Sequence, residues 1–338
     1  MGETMRAVVA DGYGGPEVLR AGELPVPSPG PGQVLVRVRA TGLNPGELRL
    51  LAGVFRDRAP LTFPHVPGRD FAGTVTEAGP GVTRFSPGDE VFGHALPRGA
   101  VAMAALVADV PSLSTGAMAE YAVFEADAPA LALRPAALPP EHAAVLPTAA
   151  LTALPLMRAG AFQKGQRVLV IGAAGGVGGV VVPLLAEAGA HVVATAIPED
   201  EAYVRGLGAA EVIDYRAADP VAETLRRHPG GVDTLVNLAL PGDRLAEAAR
   251  AVRYGGRLLN IAFPAPPADA IGRDDLAPET VLTTARPGDL ETVADSALKG
   301  TLPATVGRRY TLDEGPRAYA DLLNEHTRGK LVVVVDNG

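Results

Sequence analysis

The chain has 338 residues, with 38 acidic and 30 basic side chains and a net charge of −8. That balance argues against a phosphate-backbone binder, which needs a basic face, so no nucleic-acid partner is expected. Apolar types make up 47 % and charged types 20 %, which excludes a disordered acidic chain or a collagen-like one and suggests two globular domains at this length.

The first third alternates short β-rich runs with Gly/Pro turns. Arg6–Ala10, Gln33–Arg39, Gly73–Glu77, Glu90–Phe92 and Glu120–Phe124 read as strands. In the second of these Val34, Val36 and Val38 alternate with Leu35, Arg37 and Arg39, one face turned in and the other mostly out. Such spacing indicates an all-β barrel or sandwich. After Asp127 the rhythm changes. Leu138–Leu146 reads as a helix, and from Gln166 strands and helices take turns. The strands are Arg167–Ile171, His191–Thr195, Glu211–Asp214, Thr234–Asn237, Arg257–Ile261 and Thr280–Thr283; the helices between the first four are Val180–Ala188, Asp200–Leu207 and Val221–Arg227. Near-continuous apolar strands separated by helices predict a parallel sheet covered on both faces, a doubly wound α/β domain. Lys330–Asp336 is a last strand, expected to return to the first domain. The predicted division is 1–127 with 302–338, against 128–301.

One uncharged stretch, Val168–Ala186, is long enough to span a membrane, but its five glycines and one proline parse better as strand, turn and helix; no membrane partner is expected. The first residues lack a signal-peptide layout and the chain has no cysteine, so a cytoplasmic location is expected. Without cysteine there is no thiol nucleophile and no thiolate metal site. The six histidines show no metal-ligand spacing, and no metal site is expected.

The chemistry-bearing motif follows Ile171. Gly172-Ala-Ala-Gly-Gly-Val-Gly178 stands between a strand and a helix, in the frame G-x-G-x-x-G with Ala173 in place of the first glycine. Gly175 lets the main chain approach a pyrophosphate, Gly176 and Val177 continue the turn, and Gly178 lets helix and strand pack closely. This context predicts dinucleotide binding. At the tip of the second strand, Thr195 and Ala196 stand where a ribose-binding acid is expected for NAD. Its absence favours NADPH, although Glu199 and Asp200 would repel a 2′-phosphate and NADH remains an alternative. Arg205 is the candidate cation. Asn237, Ile261, Ala262 and Phe263 lie at or just past strand ends, where ligands sit in such sheets.

Seven further segments, in order, carry a resemblance: Gly42-Leu-Asn-Pro45, Val66–Gly73, Gly88–Gly93, Gly116–Tyr121, Leu146–Thr152, Val212–Tyr215 and His326–Lys330. With the nucleotide turn they make nearly the whole chain resemble the medium-chain dehydrogenase/reductase superfamily, in its zinc-independent quinone oxidoreductase branch. The resemblance implies a GroES-like N-terminal domain and a Rossmann domain. Zinc-dependent relatives carry Cys where Asn44 stands and a His-Glu pair at Arg69-Asp70. It also implies that Asn44 is catalytic, contacting substrate, water or cofactor; that Thr148 and Thr152 line the cofactor cleft; that Tyr215 packs by the adenine; and that Arg328, Gly329 and Lys330 close over nicotinamide and phosphates. Phe55, Phe63 and Phe263 would bound a planar substrate between the domains. A homodimer is implied through the strand near Thr280–Thr283.

The sequence departs from the family where many relatives carry Asp, Arg and Tyr; it has Glu47, Leu51 and Phe55, so no side-chain proton donor is evident. Gly99–Thr115 is longer than the loop commonly is and is a candidate lid. The expected function is an NAD(P)H-dependent reductase of small-molecule quinones or other conjugated carbonyls. A 2-alkenal or enoyl reductase of secondary metabolism, and a family member that has lost redox chemistry, stay open.

Overall fold

Val34, Val36 and Val38 are fully buried, but of the residues between them only Arg37 is exposed, Arg39 being half-buried and Leu35 buried, so the alternation in the third strand holds only in part. The structure is a computed structural model that describes residues 3–57, 60–95, 116–265 and 267–335. In chain order its strands are β1 (Thr4–Ala10), β2 (Leu19–Pro25), β3 (Gln33–Gly42), β4 (Asp70–Ala78), β5 (Glu90–His94), β6 (Tyr121–Glu125), β7 (Leu131–Leu133), β8 (Arg167–Ile171), β9 (His191–Ala196), β10 (Glu211–Asp214), β11 (Val232–Asn237), β12 (Val252–Asn260), β13 (Pro278–Thr280), β14 (Val306–Thr311) and β15 (Lys330–Val334). By packing, the chain divides into a first unit, 1–151 with 284–299 and 304–338, and a second, 152–283 with 300–303. The segments 128–151 and 284–299 thus pack with the first unit, although their sequence rhythm groups them with the second.

In the first unit β1 and β2 form an antiparallel pair. A seven-stranded sheet runs β14-β15-β3-β4-β5-β7, with β6 also paired to β3. The last strand does return here: β15 lies antiparallel to β3, with Val332 opposite Gly42. Its alternate residues Leu331 and Val333 join the core, where Phe71 and Phe124 stack at 3.7 Å in the same cluster as Met118 and Tyr319. Each such fully buried apolar side chain contributes about 1.5–3 kcal/mol. The helix Pro45–Leu51 starts on Pro45, whose fixed φ and missing N–H suit a first turn. It buries Leu50, Leu51 and, unusually, Glu47.

The second unit is a six-stranded parallel sheet in the order β10-β9-β8-β11-β12-β13. Helices Gly178–Glu187, Pro198–Gly206 and Pro220–Arg227 connect β8 to β11. Chain direction across the sheet reverses between β8 and β11, which makes the carboxyl ends of those strands the switch point where ligands bind in such folds. No helix among the described residues is long and apolar enough to cross a membrane.

Several elements differ from expectation. The helix expected over Leu138–Leu146 is Pro140–Val145, followed by Pro147–Gly160, with Pro147 opening a new first turn. The edge strand β13 ends at Thr280, where the sequence suggested a start. Strands β2 and β14 carry mostly exposed or polar residues and lack the apolar runs that mark the others, and β7, Leu-Ala-Leu, is only three residues long. The candidate lid, Gly99–Thr115, lies outside the described residues.

Candidate active site

In the second unit β8 ends at Ile171 and the chain turns through Gly172, whose φ of +88° is a left-handed conformation open to glycine. The two later glycines of the frame have different surroundings. A Cβ on Gly178 would stand 2.3 Å from the carbonyl oxygen of Ala173 and 2.5 Å from that of Gly172, so no side chain fits between helix and turn. A Cβ on Gly175 would meet only the oxygen of Gly172, at 3.5 Å. Gly175, Gly176 and Val177 are half-exposed, at the start of a ten-residue helix and at the switch point. The Gly175 amide donates to the carbonyl of Gly172 at 3.2 Å, so this glycine leaves room for an anion to approach, and the main chain of Gly176 and Val177 beside the helix N-terminus can face it. The residues present therefore fit the diphosphate of a dinucleotide.

At the tip of β9, Thr195 is buried with its hydroxyl 3.5 Å from the carbonyl of Val170, and Ala196 is buried beside it. Arg205 is directed elsewhere. Its guanidinium bonds Glu201 at 2.8 Å and the carbonyl of Ala210 at 3.2 Å, at the start of β10 and so at the far end of the sheet from the β9 tip. The helix Pro198–Gly206 carries it away from the β9 tip, where the sequence reading expected a ribose contact. A different cation stands at the tip. Arg216, on the turn after β10, places Nη1 3.8 Å from Oε2 of Glu199. The sequence points to it only weakly, since it follows Tyr215 at the end of a different strand. Tyr215 itself is 44 % exposed, so it is a surface ring and not a core tyrosine.

Asn237, at the end of β11, is fully buried. Its amide donates to Leu240 O and to Asn260 Oδ1, at 2.9 and 2.7 Å, and its oxygen accepts from the amides of Ala239 and Leu240. Asn260 in turn holds the main chain of Ala262. The two side chains thus shape the loops beyond β11 and β12, where Ile261 is half-buried and Phe263 is 46 % exposed. Thr152 shares a 2.7 Å hydrogen bond with Thr283 in the same unit.

The first unit contains a buried polar cluster that the sequence suggests only in part. Asp70 has no exposed surface. Its Oδ2 accepts from Lys330 Nζ at 2.7 Å and from Asn44 Nδ2 at 3.1 Å. Its Oδ1 accepts from the hydroxyl and amide of Thr148, at 2.6 and 3.0 Å, and lies 2.8 Å from His94 Nδ1. An ionised carboxylate only accepts, so His94 must carry its hydrogen on Nδ1. Asn44 Oδ1 accepts from Lys330 Nζ at 2.6 Å, while its Nδ2 also reaches Glu47 Oε1 at 3.1 Å. Glu47 Oε2 accepts from the Tyr319 hydroxyl and from the amide of Gly68. Arg69 is buried as well and donates to the carbonyl of Ala95.

Charge inside this cluster is set by burial and pairing. Burial would raise Asp70, but the Lys330 ammonium and the His94 bond outweigh it and hold the carboxyl well below its usual range. Burial raises Glu47 against the bonds from Tyr319 and Asn44, and it lowers Arg69 to about 10. Burial also lowers His94, although Asp70 opposes it, and pushes the Tyr319 phenol well above its usual value.

Both ends of the Asn44 amide are engaged within this unit, so a held, pre-oriented side chain stands where the Asn-Pro turn predicted a catalytic one. Lys330 is buried beside it and is not a solvated phosphate ligand; Gly329 next to it is buried and Arg328 is exposed. Phe55 is half-buried. Phe63 packs edge-on against Tyr13 at 5.0 Å, on the margin of the core. The sequence did not mark His94 or Tyr319 for this site.

Two family models match the chain: the alcohol dehydrogenase GroES-like domain over residues 30–134, and the zinc-binding dehydrogenase model over 207–333. A chloroplast envelope quinone oxidoreductase homolog of Arabidopsis thaliana is 30 % identical, over 98 % of this chain and 99 % of its own. The quinone oxidoreductase of Mus musculus is 28 % identical, over 98 % of each. Among solved structures, the quinone oxidoreductase of Coxiella burnetii superposes with a TM-score of 0.85 at 26 % identity, over 99 % of this chain and 100 % of that one. An NAD-dependent alcohol dehydrogenase reaches the same score at 32 % identity, over 98 % and 100 %. These matches run end to end through both units and agree with the glycine turn and the returning β15: the chain belongs to the medium-chain dehydrogenase/reductase superfamily of nicotinamide-dependent oxidoreductases, among the quinone oxidoreductases.

Proposed function

We propose that the protein is a reductase that uses NADPH to reduce a quinone or another small conjugated carbonyl, without a catalytic zinc. The observation that carries the use of a nicotinamide cofactor is the open main chain at Gly175–Val177, against the tightly closed Gly178. The quinone relatives support the acceptor class. A reduced nicotinamide supplies a hydride when bound, and the reduced carbonyl product then takes its proton from water. The chain's own contribution is to grip the diphosphate through Gly175, Gly176 and Val177, to select the ribose end at the β9 tip, and to hold Asn44 in one orientation.

NADPH is supported by Ala196, which leaves no acid at the end of β9, and by Arg216, half-exposed near it. A zinc-free reaction is supported by the donor set. Cysteine is absent, Asn44 stands where zinc-dependent relatives carry it, and the Lys330 ammonium bonds both Asn44 and Asp70. A dication beside that ammonium would be strongly repelled at this degree of burial. The homodimer belongs to the same reading, supported by β13 at the sheet edge, and so does a cytoplasmic location, supported by the lack of cysteine.

Fluorescence titration of the purified protein tests the reading. NADPH should bind saturably, more tightly than NADH, and Gly175→Asp should lose this binding because a charged side chain would fill the diphosphate's place. Failure of both nucleotides to bind at millimolar concentration, or unchanged binding by Gly175→Asp, would overturn it. A screen of quinones and enones with each nucleotide then identifies the acceptor.

A further inference from the structure

We infer that His191, Glu211 and His228 form a binding site for a divalent transition-metal ion of the zinc class, in the second unit and at the end of its sheet opposite the nucleotide turn. His191 and Glu211 are the first residues of the neighbouring strands β9 and β10. Glu211 lies beside Val193, two residues along from His191, so both side chains stand on one face of the sheet. His228 follows the helix Pro220–Arg227 and is brought to the same face by its C-terminus.

The ligand atoms converge. Glu211 Oε1 lies 2.6 Å from His191 Nε2 and 3.0 Å from His228 Nε2, and all three lie within 4.8 Å of one another. The rings meet edge to face at 5.9 Å, which keeps both nitrogens turned to the same oxygen. His228 Nε2 is buried and makes no hydrogen bond, despite its closeness to the carboxylate. A buried ring nitrogen aimed at an oxygen without bonding it is suited to an ion between them. Among the described residues this is the only group of three with such an arrangement.

Two imidazole nitrogens and one carboxylate oxygen form a ligand set that zinc accepts, with water in the fourth position. Metal–ligand bonds of about 2.0–2.1 Å put tetrahedral ligand atoms roughly 3.3 Å apart. The His191–Glu211 pair, now at 2.6 Å, must therefore open by about 0.7 Å, with the ion in place of the Nε2 hydrogen and the neutral ring carrying its hydrogen on Nδ1. His191 is 40 % exposed and gives access. Arg227 Nη1 holds the other carboxylate oxygen at 3.3 Å, which leaves Oε1 as a single, oriented donor. Its charge is shared with Glu223, bonded at 2.7 Å, so it opposes a cation only partly. An ion here would tie the outer strands β9 and β10 to the helix behind them.

Tag-free protein stripped with chelator and titrated with zinc sulfate by calorimetry tests this without cofactor or substrate. Expected are one zinc per chain and a rise of several degrees in the unfolding midpoint. Cobalt(II) should bind with the visible absorption of a low-coordinate N/O site. His191→Ala, at an exposed position that should not disturb folding, and Glu211→Gln should each lose all three signals. No saturable binding by the wild type, or unchanged binding by His191→Ala, would overturn the assignment. A loss of nicotinamide binding would not affect it.

Discussion

The polar cluster of the first unit and the glycine turn of the second are built in opposite ways. Around Asp70, side chains from Asn44, His94, Thr148 and Lys330 fill the interior with matched charge and hydrogen bonds. At Gly175–Val177 the side chains are nearly absent and the main chain is half-exposed. The first is a sealed network whose members hold one another; the second is a local conformation held by backbone geometry. The contrast shows where the molecule stores stability and where it keeps room for a ligand, and single substitutions should separate the two.

The largest effect is expected at Lys330. Lys330→Met leaves Asp70 buried without its cation, which costs about 3–5 kcal/mol for an interior pair. Urea unfolding should show that loss, and adding Asp70→Asn should recover more than half of it, because the neutral amide no longer needs a counter-ion. A loss below about 1 kcal/mol would mean the pair does not anchor the cluster.

Next comes the turn, where two glycines of one motif should behave differently. Gly178→Ala forces a methyl group against two carbonyl oxygens and should cost about 2–3 kcal/mol. Gly175→Ala meets only one ordinary van der Waals contact, the Gly172 oxygen at 3.5 Å, and should leave stability nearly unchanged. Equal losses would remove the distinction between a packing glycine and a ligand-approach glycine.

The sealed interior should also carry pH dependence. His65 is buried, and burial together with the charge of Arg69 lowers it to about 4. A histidine depressed in the folded state is fully stabilising above its unfolded value, about 6.5, and loses that contribution as pH falls toward 4. Between neutral pH and pH 5 this amounts to about 2 kcal/mol. Thermal unfolding across that range should show the decline, and His65→Gln should flatten it. His94, also lowered by burial, adds in the same direction.

The two regions were unequally legible for the same reason that they differ physically. The glycine turn lies within seven consecutive residues between an apolar strand and a helix, so its geometry is written locally. The parallel strands were recognisable because burial on both faces leaves near-continuous apolar runs; β2 and β14, with charged and exposed residues, offered no such signal. The Asp70 cluster is assembled from partners as distant as 286 residues, the separation of Lys330 from Asn44. Family likeness singled out Asn44, Thr148 and Lys330, but nothing local shows that Lys330 is buried or that Tyr319 meets Glu47. Glu47 stands out in the sequence only as a departure from the family pattern, and its burial beside Leu50 and Leu51 emerges from the structure.

The smallest effect tests whether the open region also selects its ligand. Arg216 and Glu199 face each other at the β9 tip, 3.8 Å apart and both more than half exposed, so their pairing adds little to stability. A 2′-phosphate would compete with Glu199 for the same guanidinium, and its two charges would make it the stronger partner. Arg216→Ala should therefore weaken NADPH binding about tenfold, equivalent to about 1.4 kcal/mol, and change NADH by less than about twofold. Glu199→Arg should move the preference toward NADPH by removing the repulsion and adding a cation. Titrating both variants with both nucleotides distinguishes selection from general weakening: equal losses for NADPH and NADH in Arg216→Ala would mean that the arginine supports the fold of the turn and does not read the phosphate.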